Sequence, residues 1–177
     1  SVPGAAENGP QRCYHCKHAI FTHLWKAAYA DGYPALLDGT NASDDAGDRP
    51  GMRALKELEV RSPLRECGIT KSKVRELSRE AGLFTWDKPA YACLATRIPA
   101  GTPVSAPDLA RVEQAERIMD EKGFRDFRIR LSGEGARLQV TEAQIPLVLE
   151  KRKEIQKDLA PFFHTVSLDL EARAASE

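Results

Sequence analysis

The chain has 177 residues, 42% of them apolar and 29% charged, enough apolar material for one substantial domain or two small ones and too much for disorder of the whole chain. Lys plus Arg at 26 balance Asp plus Glu at 26, so a global basic field for holding a nucleic-acid backbone is missing, while a local anion site stays open. No stretch approaches the roughly 18 consecutive apolar residues of a membrane span, and the opening SVPGAAENGPQR lacks an apolar targeting core.

Cysteines at 13, 16, 67 and 93 lack the dense spacing of a secreted disulfide scaffold, which makes the cytoplasm the default location and leaves room for one bridge or a metal site. Residues 1–11 are small, proline-containing and almost uncharged, a composition that buries too little to offset the entropy of ordering, and fraying is expected. From Cys16 to Ala30 the spacing of Ile20, Leu24 and Ala28, with Phe21, Trp25 and Ala27 nearby, predicts an apolar helical stripe ended by Asp31 and Gly32. YPALLDGTN then reads as a short buried strand running into a polar turn, and helix, strand and polar loop together make an α/β rhythm.

NASDDAGDRP over 41–50 is a turn-rich loop with Asp44, Asp45 and Asp48, either solvated or facing a ligand. Beyond Pro50 and Gly51, the spacing of Met52, Leu55 and Leu58 predicts a short helix, and RSPLREC reads as a strand-to-loop passage. Thr70 opens a further helix with Val74, Leu77 and Ala81 on one face and Gly82 as its stop.

Pro99, Gly101 and Pro103 interrupt regular structure and set the boundary near residue 100, giving domains over 12–99 and 100–177. Ser105 caps a helix whose buried stripe is Leu109, Val112, Ala115 and Met119, with Gly123 after its end. FRDFRIRL places Phe127, Ile129 and Leu131 on one side and Arg128 and Arg130 on the other, and ARLQV pairs with it across SGEG as a hairpin. A helix over 142–160, with a broken face of Ile145, Val148 or Leu149, Ile155 and Leu159, precedes a last strand in HTVSLDL. The second half is thus a two-layer α+β unit.

Cys93, in AYACLATR, has small neighbours that permit close approach of a ligand and Arg97 four positions later as a thiolate partner; a buried structural cysteine and a reactive nucleophile or sulfur donor are both compatible. Cys13 and Cys16 have C-x-x-C spacing near His15, His18 and His23, which permits a zinc cluster, a dithiol or two ordinary cysteines. Arg128 and Arg130 share a strand face and, with Arg137, form either a solvated sheet face or a three-arginine anion site that Glu113 and Glu116 would orient. Asp44, Asp45 and Asp48 carry the oxygen ligands that Mg²⁺ favours. Walker-type, H-E-x-x-H and G-x-S-x-G motifs are missing, and scattered aromatics argue against a nucleic-acid stacking platform.

RCYHCK at 12–17, LLDGTNASDD at 36–45, RPGMRALKEL at 49–58, RSPL at 61–64, WDKPAYACLATRIPAGTP at 86–103, VEQAE at 112–116 and FRDFRIR at 124–130 together resemble the ATP-dependent sacrificial sulfur transferases of the pyrophosphatase-loop superfamily. The resemblance covers nearly all of the chain. It implies a partial adenine nucleotide alpha hydrolase-like, Rossmann-like α/β domain with a parallel sheet, followed by a smaller α+β substrate-binding domain. It further implies maturation of the nickel-pincer nucleotide of lactate racemase, with ATP and Mg²⁺ used to adenylate a carboxylate of a pyridinium biscarboxylic mononucleotide. The cysteine of ACLATR, here Cys93, then supplies the sulfur and becomes dehydroalanine.

By the same resemblance Arg128 and Arg130, with Arg97 assisting, recognise the substrate phosphate, and Glu116 has a supporting or general-base role. Gly39, Thr40, Asn41 and Asp45 lie near the nucleotide, Asp45 near Mg²⁺, and the protein is a homo-oligomer. The family carries a strand and an SGGxDS-type pyrophosphate loop ahead of these motifs; the 177 residues contain no such loop, which implies an incomplete form that relies on a segment supplied by the full-length protein. Competing readings are a tRNA-thiolation or amidation-type adenylating enzyme, which the neutral charge disfavours, and a noncatalytic anion-binding or assembly module.

Overall fold

The computed structural model describes residues 2–44 and 49–174, and the chain divides into two compact units, Ser1–Lys88 and Pro89–Glu177. Pro50, Pro63, Pro107 and Pro146 each lie in the first turn of a helix, where the missing N–H has no intrahelical acceptor to lose and the fixed φ is already helical. Among the described residues no helix is long and apolar enough to cross a membrane.

The first unit contains α1 (Arg12–Ala30), α2 (Pro50–Glu57), α3 (Pro63–Glu66) and α4 (Lys71–Glu80). Residues ahead of α1 are ordered by backbone hydrogen bonds, Ala5 N to Val2 O, Asn8 N to Ala5 O and Arg12 N to Gly9 O, and by Asn8, which is buried at φ 57° with its side chain accepting from Arg12 Nη1. Turn chemistry thus replaces the apolar burial whose lack predicts fraying.

Helix α1 packs on α2 through only part of the expected stripe. Tyr14 Oη donates to Glu57 Oε2 at 2.7 Å, Trp25 Nε1 donates to the Leu58 carbonyl at 2.7 Å and Ala28 is buried, whereas Ile20 and Leu24 are exposed. The two polar anchors fix the helix rotation, because a Trp or Tyr with a partner for its polar atom outcompetes aliphatic residues that lack a facing surface.

The expected strand in YPALLDGTN is reduced to an isolated parallel bridge, Leu37 to Arg61, with Asp38 N on Arg61 O and Arg61 N on Leu36 O. Leu37 is exposed. RSPLREC, expected as strand into loop, instead holds α3, because Pro63 starts a helical turn and Glu66 accepts from Ser62 N. Thr70 caps α4 by accepting from Lys73 N, and Gly82 beyond its end has φ 68°, as the capping pattern predicts.

The second unit is built on α5 (Ala106–Glu121), β1 (Arg128–Ser132), β2 (Gly135–Gln139), α6 (Ile145–Glu150), α7 (Arg152–Leu159) and β3 (Val166–Leu168). β1 and β2 form an antiparallel hairpin with Ile129 opposite Leu138 and Arg130 opposite Arg137, and β3 adds to β2 in parallel, giving a mixed sheet of order β1-β2-β3. One sheet face, carrying Ile129, Leu131, Ala136 and Leu138, closes the core with Val112, Ala115 and Met119 of α5, Ile155 and Leu159 of α7, and Phe124. Ser105 Oγ accepts from Asp108 N, and Gly123 follows α5 at φ 91°.

The helix expected over 142–160 is split into a 3-10 turn, α6 and α7, with Lys151 at the break, and Val148 rather than Leu149 is the buried member of its first half. Residues from Pro89 onward belong to this unit: Ile98 is in its core and Leu94–Arg97 form a 3-10 turn against α5 and β1. The whole is an α/β architecture with a small three-stranded mixed sheet flanked by helices.

Candidate functional site

The candidate functional side chains fall in two places, one in each unit. In the first unit a cleft of about 540 Å³ is lined by Cys13, Lys17, Asp38, Gly39, Thr40, Asp44, Arg49 and the start of α2 from Pro50 to Met52. Gly51 brings the α2 backbone against α1: a Cβ there would sit 3.2 Å from Lys17 Cδ. Asp38 is fixed by Ser62 Oγ at 2.6 Å, Thr40 Oγ1 at 2.6 Å and Thr40 N at 3.2 Å. Partial burial pushes its carboxyl upward, but these three donors outweigh that and hold it below the usual value, so the cleft keeps a fixed negative charge beside Lys17.

Of the residues expected near a nucleotide, Gly39 and Thr40 line this cleft. Asn41 is engaged in its own loop, its N–H on Asp44 Oδ2 at 2.8 Å and its Oδ1 on Ser43 N at 2.9 Å. Asp45 and Asp48 lie outside the described residues. Among the described residues no three His, Cys, Asp or Glu side chains, those around Cys13 and Cys16 included, come together as a metal group. None of the four cysteines is in a disulfide.

In the second unit Cys93 is exposed and is the N-cap of the 3-10 turn Leu94–Arg97. Four residues on, Arg97 is 1% exposed. Its Nε and Nη2 donate to the two oxygens of buried Glu116 at 2.7 and 3.0 Å, while Nη1 donates to the carbonyls of Ala92 at 3.1 Å and Cys93 at 3.5 Å and to Thr96 Oγ1 at 2.9 Å. Glu116 also accepts from Ile129 N at 3.0 Å, which ties α5, β1 and the cysteine-bearing turn to one carboxylate. Arg97 therefore grips the backbone around Cys93, and its donors are taken up by oxygen atoms.

Arg128 and Arg130 stand on the sheet face away from the core. Buried Arg128 donates to the carbonyls of Phe127 and Ala90 and lies 4.0 Å from Asp126, which also binds Arg173 at 3.0 Å. Arg130 donates through Nε to Gln139 Oε1 at 2.6 Å and through Nη1 to the Thr96 carbonyl at 2.8 Å, leaving Nη2 without an acceptor among the described residues. Arg137 opposite it pairs with Asp169 at 3.4 Å.

Burial, and then the neighbouring guanidinium charges of Arg97, Arg173 and, for Arg130, Arg137, lower the pKa of both Arg128 and Arg130; Glu116, Asp126 and Asp169 oppose this only in part. Guanidinium groups stay protonated, so the consequence is a surplus of positive potential on this face. A phosphate or carboxylate relieves it.

Sequence reasoning overlooked Tyr91, Asp38, Lys17 and Arg49. Lys17 and Arg49 stood inside quoted motifs but carried no periodic signal, Asp38 takes its third donor from Ser62, 24 positions on, and Tyr91 meets Arg128, which lies on β1.

No protein-family model matches the chain. It is 37% identical over 96% of its length to an uncharacterized protein of Synechocystis sp., covering 64% of that protein. It is 34% identical over 92% of its length to the pyridinium-3,5-bisthiocarboxylic acid mononucleotide synthase of Lactiplantibacillus plantarum, covering 59% of it. A third relative, an uncharacterized protein of Methanocaldococcus jannaschii, is 30% identical over 93% of the chain and 65% of its own length. The chain is a distant homologue of these proteins and spans under two thirds of the length of each.

Proposed function

We propose that the protein is a sulfurtransferase of the pyrophosphatase-loop superfamily that converts pyridinium-3,5-biscarboxylic acid mononucleotide to its thiocarboxylate, in a cytoplasmic homo-oligomer serving nickel-pincer cofactor maturation. The observation that carries this reading is the exposed Cys93 thiol on a turn whose backbone is anchored by the buried Arg97–Glu116 pair, next to an arginine face with unsatisfied positive charge. Similarity to the Lactiplantibacillus synthase supports the choice of substrate.

In this reading ATP is a co-substrate, accompanied by Mg²⁺, and the cleft of Lys17, Asp38, Thr40 and Arg49 belongs to its binding. A substrate carboxylate oxygen attacks the α-phosphorus of ATP, and the bond to pyrophosphate breaks. The Cys93 sulfur attacks the activated acyl carbon, and the carbon–oxygen bond to AMP breaks to leave a thioester. A base removes the Cys93 Cα proton, its electron pair forms the Cα–Cβ double bond, and the Cβ–S bond breaks with sulfur retained on the substrate.

Arg130 and Arg128 hold the substrate phosphate by charge-assisted hydrogen bonds. Arg97 donates to the Cys93 carbonyl, and that hydrogen bond favours loss of the adjacent Cα proton because charge develops on the carbonyl oxygen. Glu116, its oxygens engaged by Arg97 and Ile129, acts by orienting Arg97 rather than by carrying the proton itself.

The test is intact mass and peptide mapping of the chain after incubation with ATP, Mg²⁺ and the mononucleotide, and separately with the mononucleotide supplied as a preformed acyl adenylate. Loss of about 34 Da at Cys93, the mass of H₂S, in either incubation supports the reading. An unaltered Cys93 in both, with the mononucleotide bound, overturns sulfur donation by this residue.

A further inference from the structure

The residues on either side of Tyr91 are both tied down by arginines. Arg128 Nη2 donates to the Ala90 carbonyl and Arg97 Nη1 donates to the Ala92 carbonyl, so the backbone of residue 91 is fixed at both ends. The side chain nevertheless remains 64% exposed. Its ring centroid lies 5.2 Å from the Arg97 guanidinium carbon and 5.9 Å from that of Arg128, within cation–π range.

A tyrosine kept for core packing buries its ring; this one is held rigidly and displayed. Partial burial and the negative charge of the adjacent Glu116 carboxylate raise the phenol's pKa and keep it neutral, with Arg97 opposing. The turn that follows contains Thr96, whose carbonyl accepts from Arg130 Nη1, so the segment carrying the ring is held by the guanidinium whose Nη2 has no acceptor among the described residues. An exposed aromatic on a segment that Arg97, Arg128 and Arg130 anchor is matched by a ligand that joins a planar ring to a phosphate.

We infer that Tyr91 is a stacking platform that selects an aromatic mononucleotide over a bare sugar phosphate at the arginine face. The inference rests on the proposed phosphate role of Arg128 and Arg130 and adds the part of the ligand that this role leaves unread. Stacking on a preorganised ring is sequence-tolerant and needs only a π face, so Tyr91 contributes selection for aromaticity and Arg130 contributes affinity for the anion.

The experiment is calorimetric titration of the 177-residue chain with nicotinamide mononucleotide and, in parallel, ribose 5-phosphate at one ionic strength. The wild type is expected to bind nicotinamide mononucleotide about tenfold more tightly than ribose 5-phosphate. Tyr91→Phe keeps that ratio; Tyr91→Ala and Tyr91→Leu bring it to unity while ribose 5-phosphate affinity and the circular dichroism spectrum stay unchanged. A ratio of one in the wild type, or one that survives Tyr91→Ala and Tyr91→Leu, overturns the stacking role while leaving the phosphate site intact. Failure of both probes to bind, or binding of both that Arg130→Ala leaves untouched, overturns the phosphate site and the inference together.

Discussion

Arg97 and Glu116 form a two-pronged ion pair, 2.7 and 3.0 Å long, between a 3-10 turn and α5, with both side chains almost wholly out of solvent. Its third guanidinium nitrogen is spent on the carbonyls preceding and at Cys93, so one buried charge pair sets the position of the candidate sulfur donor.

Removing one partner leaves the other charge buried without compensation. Glu116→Ala is expected to destabilise the second unit by about 3–5 kcal/mol, measured by denaturant unfolding of the whole chain. The pair exchanged for Met at 97 and Leu at 116 is expected to recover most of that loss. It would not restore sulfur transfer, because the grip on residues 92 and 93 is gone.

Arg130 and Arg137 sit directly across the hairpin, an arrangement of like charges that weakens a sheet. Arg130→Gln is therefore expected to leave stability unchanged or raise it by about 0.5 kcal/mol while reducing affinity for inorganic phosphate about tenfold. A melting curve and a phosphate titration on the same preparation check both halves.

Asp38 keeps its proton less readily than an ordinary carboxyl, since hydrogen bonds from Ser62 and Thr40 outweigh its burial. A carboxyl with a lowered folded-state pKa stabilises the fold above its unfolded value, about 3.9, and the stabilisation disappears as pH falls through the folded value. The stability difference between wild type and Asp38→Asn is thus expected to be constant from pH 7 to about 5 and to shrink below about 4. A difference that grows on acidification would contradict the assignment.

For Tyr91 the sign is opposite in effect. Burial and Glu116 push its phenol from the ordinary 10.0 up to about 12. Its contribution to stability is complete below the unfolded pKa of about 10 and is lost as pH rises from there through about 12. The absorbance difference between wild type and Tyr91→Phe, followed at the phenolate band, is expected to show a midpoint near 12.

Gly135 begins β2 where a side chain has no room: a Cβ would lie 2.5 Å from Thr165 Oγ1 and 2.9 Å from the Thr165 carbonyl oxygen. Because part of the obstruction is backbone, Gly135→Ala is expected to cost about 1–3 kcal/mol in chemical unfolding. Thr165→Ala in the same chain removes only the hydroxyl contact and relieves the cost in part.

Legibility followed the range of the interaction. The hairpin, its facing residues and the Ser105 cap were readable because alternation and capping act within a few residues. Arg97 and Glu116 were both singled out, yet their pairing spans 19 positions and leaves no periodic trace. Lateral placement of α1 depended on Trp25 finding the Leu58 carbonyl, 33 positions away, so Ile20 and Leu24 of the expected stripe are left exposed. The YPALL segment had a strand's composition, but among the described residues only Arg61 bridges to it, and composition cannot reveal how many neighbours a strand will find.

The parallel joining of β3 to β2 has a kinetic consequence. β1 and β2 meet across a tight turn and can pair as soon as both are made, whereas β3 is separated from β2 by the whole of α6 and α7. Closing that long loop before its contacts exist is entropically slow, so the hairpin forms ahead of β3 and waits with its inner strand unpaired on one side. During synthesis this interval lasts until the chain beyond Val166 has emerged, so Arg128, Arg130 and Arg137 are on the hairpin before Asp169 and Arg173 can complete their face.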